Sequence, residues 1–197
     1  MPKISDETKQ ARRDAILTAA RRCFAAYGYE GATVNRLERE TGLSRGAIFN
    51  YFDSKDDLFL ALAARDAERL GTVWYEEGFL PVLRAVLEED PAWLSVYLEI
   101  GRRLRTDESF RERYKQRAPE IDKRIEASVE QARENGQLRD DISLKTLGRL
   151  MSIVADGLAI SVAAGFPVED PEELLGVVEE IIRPRRARSR TPARRSA

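Results

Sequence analysis

The amino-acid sequence predicts an all-α fold of about nine helices, with an N-terminal three-helix domain followed by a larger helical domain. Three observations carry this. Apolar residues recur at helical spacing along most of the 197 residues, and no stretch shows the strict alternation of a strand. The helical stretches are separated by clear stop and start signals at Gly42, Ser44, Ser54, Asp90-Pro91, Gly136 and Asp170-Pro171, residue types that end helices or cap their first turns. Two short helices meet at the turn Gly42-Leu43-Ser44, the spacing of a helix-turn-helix.

A first helix is predicted from near Ser5, with Asp6 and Glu7 suited to the positive end of its dipole, to Tyr27-Gly28. Ile16, Ala20, Cys23 and Tyr27 share one face, where the single cysteine reads as a packed apolar thiol. Thr33 caps a second helix carrying Val34 and Leu37 inward, and Gly42 ends it. Ser44 caps a third helix from Arg45 to about Phe52. Leu43, Ile48 and Phe52 point inward, leaving Arg45, Gly46, Phe49 and Asn50 outward. In a DNA major groove an arginine bonds guanine through two hydrogen bonds and an asparagine bonds adenine likewise. The same spacing also fits a plain αα-hairpin with solvated charges. Ser54 and Asp57 form a capping box for a fourth helix reaching about Glu77, with Leu58, Leu62 and Leu70 among its apolar positions. Further helices are predicted from Pro81, from Pro91 with Trp93, Val96, Tyr97, Ile100 and Leu104 on one side, over 108–135, over 143–164 and from Asp170-Pro171 to Ile182.

Composition narrows the function. There are no histidines, which removes the usual general base, the commonest metal ligand and every histidine-containing triad. Carboxylate chemistry survives that test, but no nucleophile motif accompanies it, so an enzyme is not expected; turnover of a bound ligand would reverse that reading. The N-terminus lacks the apolar core of a signal peptide, and no apolar run approaches the ~20 residues of a membrane span; a cytoplasmic protein is expected. The net charge of −1 hides three blocks. Residues 1–55 hold 10 Lys+Arg against 7 Asp+Glu, residues 56–182 hold 16 against 27, and residues 183–197 hold 7 against none. Local basic patches, rather than the whole-chain balance, are what attract phosphate. The Arg- and Pro-rich tail reads as disordered, serving either solubility or non-specific phosphate contact.

Residues 21–62 carry Tyr27-Gly28-Tyr29, Thr33, Gly42, Ser44, Gly46, Phe52 and Ser54-Lys55, and on these the chain resembles the TetR family of DNA-binding repressors. One departure is Phe49, where most members carry a tyrosine. The resemblance implies an N-terminal arm at 1–8, a DNA-binding domain at 9–71, an effector-binding and dimerisation domain at 72–182 and the tail at 183–197. It implies that Arg45 reads a base edge, Gly46 allows close approach and Phe49 packs on bases. Thr33, Asn50, Tyr51 and Lys55 then hold phosphates, with Asn35 in the same DNA-facing set. The partners expected are an inverted-repeat operator, a second copy of the chain and a small molecule, with no required cofactor. Two stretches, EGATVNRLERETGLSRGAIFNYF and LEIGRRLRTDESFRERY, are similar to the actinobacterial branch of the family that represses aconitase genes. That branch implies a tricarboxylate such as citrate as effector, with a divalent cation such as Mg.

The second half supports dimerisation independently. The helix over 143–164 is apolar over more than one stripe and so needs cover on two sides. Leu147, Met151, Val154 and Leu158 there, with Leu174, Val178 and Ile181 on the last helix, are the expected interface; the plainer reading is that both helices complete a single subunit's core. For the effector, Trp93, Tyr97, Glu99, Arg102, Arg103 and Asp156 are singled out, because charged groups among apolar neighbours need partners. An arginine here would clamp a carboxylate while Asp156 or Glu99 holds a cation or a second arginine. Glu99 and Arg103 also fit an ordinary helix pair, and Trp74, Tyr75, Phe79, Trp93 and Tyr97 fit a pocket for an apolar, drug-like ligand in a repressor of efflux or lipid genes.

Overall fold

A computed structural model describes residues 6–166 and 168–184. Among the described residues there is no strand, and nine helical elements follow one another: α1 (Asp6–Gly31), α2 (Val34–Thr41), α3 (Arg45–Phe49), α4 (Lys55–Glu77), α5 (Phe79–Leu87), α6 (Pro91–Thr106), α7 (Glu108–Glu134), α8 (Leu144–Ala163) and α9 (Pro171–Ile182). The expected cap residues sit where the signals placed them. Ser54, Asp90, Ser143 and Asp170 each accept a backbone N–H of the helix they precede. Most of the arm at 1–8 and of the tail at 183–197 lies outside the described residues; Asp6–Thr8 begin α1.

The N-terminal core gathers Ile16, Leu17, Ala20, Cys23 and Phe24 of α1, Leu37 of α2, Ile48 of α3 and Leu58, Phe59 and Leu62 of α4. Phe59 lies edge-on to Phe24 and Tyr29, with ring centroids 5.9 and 5.6 Å away. Full burial of each large apolar side chain contributes about 1.5–3 kcal/mol. This core does not stop at the expected boundary near residue 71. Trp93, Val96 and Ile100 of α6 and Phe110 of α7 belong to it, so the reading head is packed onto the body rather than hung from α4 alone.

Tyr27 corrects the predicted face of α1: it is exposed and is covered by the Arg36 guanidinium, 4.2 Å from its ring centroid. The reason is a break at Gly28, with φ 68° and ψ 173°, which turns Tyr29 into the core instead. That backbone conformation is open essentially to glycine alone. A Cβ on Gly28 would also meet Glu99 Oε1 at 2.5 Å. Gly28→Ala is therefore expected to destabilise the fold by about 1–3 kcal/mol, read as a lower urea midpoint at unchanged m-value.

The second core joins α5, the end of α7, α8 and α9 through Leu83, Val86, Val129, Leu147, Met151, Leu158, Leu175, Val178 and Ile182. This corrects the expected interface. Leu147, Met151, Leu158 and Val178 are buried within the subunit, Val154 and Leu174 are half-buried against the same core, and of the seven only Ile181 is exposed. On α8 and α9 the exposed large apolar positions are Ile153 (59% exposed), Ile160 (51%), Val177 (50%) and Ile181 (42%). On α8 the buried and exposed sets are offset around the helix, and Ile153 and Ile160, seven apart, fall on one stripe. Two apolar stripes also make α8 long and apolar enough, by length and composition, to cross a membrane, contrary to expectation; only 17% of its most apolar window is buried within the chain.

Candidate functional site

The reading head is built by a turn braced from both sides. Gly42, at φ 67°, closes α2 by donating its N–H to Glu38 O. Thr41 Oγ1 accepts the Leu43 N–H at 3.2 Å. Ser44 caps α3 by accepting the Ala47 N–H, and the Glu38 carboxylate accepts the Arg45 N–H at 2.6 Å. Glu38 thus holds the start of α3 from the helix before it, a role the sequence reading missed; its only signal was an acid seven residues ahead of a helix N-terminus. Ile48 and Phe52 are buried as expected, and α3 itself is shorter than expected, with Asn50 as its C-cap.

What this leaves outward is a surface that fits a groove. Thr33, Asn35, Arg45, Gly46 and Asn50 are exposed, and Phe49 is half-buried. A Cβ on Gly46 would meet no atom within 4 Å, so nothing stands between α3 and an approaching duplex there. The Arg45 guanidinium lies 5.9 Å from the centroid of the Phe49 ring, which places a planar cation beside an apolar face. Thr33 sits at the cap position of α2, is exposed, and makes no side-chain cap bond. Two of the expected phosphate contacts are placed differently. Tyr51 packs against the head core. Lys55 turns inward, donating to Tyr29 O at 2.9 Å and lying 4.4 Å from the Tyr29 ring centroid. Burial lowers its pKa, with Glu30 opposing that shift.

Behind the head sits a charged node that the sequence did not reveal. Asp56, in the first turn of α4, accepts two hydrogen bonds from Arg103 of α6, at 2.7 and 3.2 Å. It also accepts from Arg113 of α7 and from the Tyr29 hydroxyl. Arg103 is further bound to Asp107 at 2.8 Å and lies between the rings of Phe110 and Tyr29, at 4.3 and 4.8 Å. Burial pushes the Asp56 carboxyl up, but the hydrogen bonds and charges of its partners outweigh it, so its pKa ends below the usual value. Burial and the Asp56 carboxylate push the Tyr29 hydroxyl well up. Glu99 also works here, accepting the Tyr29 N–H at 2.8 Å just after the Gly28 break.

A cavity of about 550 Å³ opens between α4, α5, α6 and α8. Of the six residues singled out for an effector, Trp93, Tyr97 and Asp156 line it, while Glu99, Arg102 and Arg103 do not. The physical reason is helical phase: the side of α6 that carries Glu99 and Arg103 faces the head, and Arg102 is exposed. The expected arginine clamp is not assembled. Leu60, Leu70, Leu98 and Tyr114 make most of the wall apolar. Asp66 accepts from Trp93 Nε1 at 2.7 Å and from the Tyr97 hydroxyl at 3.2 Å. Glu89 is paired with Arg21 at 2.8 Å and Arg69 at 2.9 Å. Burial pushes the Asp156 carboxyl up, against the pull of Arg149. Trp74 and Phe79 line a separate cavity of about 230 Å³ near α9, and Tyr75 is exposed. Among the described residues no group of three or more Asp, Glu, Cys or His side chains gathers to hold a metal ion.

Comparison with known proteins agrees with this geometry. Residues 16–62 match the bacterial regulatory proteins of the tetR family, and residues 78–184 match the C-terminal domain of BetI-type transcriptional repressors. The chain is 42% identical over 185 residues to the HTH-type transcriptional repressor AcnR of Corynebacterium diphtheriae, covering 93% of this chain and 97% of that protein. It is 41% identical over 181 residues to an HTH-type transcriptional repressor of Mycobacterium tuberculosis, covering 91% and 95%. Among solved structures, a putative TetR-family regulator from Rhodococcus superposes with a TM-score of 0.70 at 21% identity, covering 87% of this chain and 98% of that one. Salmonella enterica GusR superposes with a TM-score of 0.68 at 22% identity, covering 90% and 97%. The chain therefore belongs to the TetR family and is a DNA-binding transcriptional repressor, not an enzyme.

Proposed function

We propose that the protein represses an aconitase gene in the cytoplasm, as a dimer bound to an inverted-repeat operator, and that a small molecule in the α4–α6–α8 cavity modulates it. The observation that carries the reading is the 42% identity to AcnR over nearly the full length of both chains, which includes the body and not only the reading head. The exposed Arg45, Gly46 and Asn50 support base contact, and the apolar stripe of Ile153 and Ile160 with Val177 and Ile181 supports the dimer. Deleting the gene is expected to raise the aconitase transcript, and restoring it to lower that transcript again. An unchanged transcript in both strains would remove aconitase as the target while leaving the DNA-binding assignment intact.

For the signal, citrate or a related carboxylate with Mg follows from that target. The lining supports a second reading. A tricarboxylate entering this cavity meets Asp66, Glu89 and Asp156, and its arginine, Arg69, is already paired with Glu89. Like charges at close range repel strongly away from bulk water. A molecule with an apolar body fits better between Leu60, Leu70, Trp93 and Tyr97. Thermal shift separates the two: a rise in Tm with apolar compounds and none with citrate plus magnesium is expected from the lining. A rise with citrate and magnesium alone would return the signal to the carboxylate.

A further inference from the structure

We propose that Asp56 is the residue through which the cavity acts on the reading head: Arg103 and Arg113 hold the first turn of α4 through it, and filling the cavity loosens that hold. The inference rests on the reading that a small molecule occupies this cavity. It starts from adjacency along two helices. On α6, Tyr97, Leu98 and Gly101 line the cavity, while Glu99 and Arg103 bind the head at Tyr29 and Asp56. On α7, Tyr114 lines the cavity and its chain neighbour Arg113 binds Asp56. Neither helix can shift its cavity wall without moving a guanidinium on the same carboxylate.

The arrangement suits a two-state contact. Asp56 accepts from three donors on three elements, α1, α6 and α7. The Asp56 side chain is 14% exposed and that of Arg103 22%, so solvent screens this pair less than a surface pair. Charge-assisted, bidentate contacts depend strongly on geometry, so a small displacement of α6 is enough to weaken them. Lys55, one residue before Asp56, is bonded to Tyr29 O, and Tyr29 is bonded to Glu99. The grip therefore fixes α4 to α1 at the base of the head, where its angle is set. Asp56, Arg103 and Arg113 are positioning residues and do not face DNA or ligand in this account.

A cavity-filling substitution can stand in for a ligand. A Cβ on Gly101 meets no atom within 4 Å, so Gly101→Leu places a side chain at the cavity wall from α6. The Tyr29 amide proton, bonded to Glu99, reports the α6 contact, and the hydroxyl of the same residue donates to Asp56, so this one amide reads both ends of the grip. Its exchange is to be followed by NMR in full-length wild type, Gly101→Leu, Asp56→Asn and the double variant, with urea midpoints recorded alongside. Each single substitution is expected to speed Tyr29 exchange by about tenfold or more relative to amides elsewhere in α1, and the double variant to match the larger single effect. Arg113→Lys should exchange more slowly than Arg113→Met, because it keeps a cation for Asp56. Effects that multiply in the double variant, or Gly101→Leu without effect on Tyr29, would overturn the proposal. Thermal shift judges the cavity reading separately, so coupling without any ligand would leave Asp56 standing and remove the effector.

Discussion

Ile153→Glu combined with Ile181→Glu is expected to leave the protein monomeric at micromolar concentration and to weaken operator binding by roughly a hundredfold or more. The magnitude follows from bivalency, since tethering two heads makes the second contact intramolecular and multiplies affinity by about 10²–10⁴. The motive is exposed apolar side chains on the last two helices: Ile153 of α8 and Ile181 of α9 are 59% and 42% exposed, and only 17% of the most apolar window of α8 is buried within one chain. Exposed apolar side chains gathered on two helices mark a contact with another chain, and a symmetric pair would bury them twofold. Because both side chains are exposed and neither lines the cavity, the variant should keep its helical content and its unfolding midpoint per monomer. Leu158→Glu is the contrasting case. It puts a carboxylate into the interior, so it is expected to unfold the body rather than split the dimer. Sedimentation separates the outcomes: a double variant that remains dimeric would place the interface elsewhere.

Arg45→Ala is expected to cost about 1–3 kcal/mol at each half-site, about 2–6 kcal/mol for a dimer, and to relax the base preference at one position of each half-site. Its backbone is fixed by Glu38, its side chain is exposed, and Gly46 beside it leaves the approach open. Lys55→Ala should behave differently. With its ammonium bonded to Tyr29 O, it is expected to lower the stability of the head and leave base preference unchanged. Competition against single-base operator variants checks both; a preference that shifts with Lys55 and not with Arg45 would invert the assignment.

The sequence made the helices legible because local chemistry decides them. Ser54, Asp90, Ser143 and Asp170 cap where they were expected to, since a cap depends on one side chain and the next three amides. The outward face of α3 was legible for the same reason, with Ile48 and Phe52 anchoring its phase. Tertiary pairing was not. Asp56, Arg103 and Arg113 are 47 and 57 residues apart, and nothing local distinguishes that aspartate from Asp57, which serves the capping box. The dimer face failed for a subtler reason. On a helix apolar over two stripes, periodicity says that both are covered but not which one the same chain covers, so periodicity points to Leu147 and Leu158 where Ile153 and Ile160 are exposed.

The most direct test is a footprint of the full-length protein on the DNA upstream of the aconitase gene in its own genome. A two-fold dimer with two equal heads is expected to protect an inverted repeat whose half-sites lie about one helical turn apart, roughly 34–36 Å, and Arg45→Ala should abolish the protection at concentrations where the wild type saturates it. Protection of a single half-site, or a wild-type footprint retained in full by Arg45→Ala, would contradict the account.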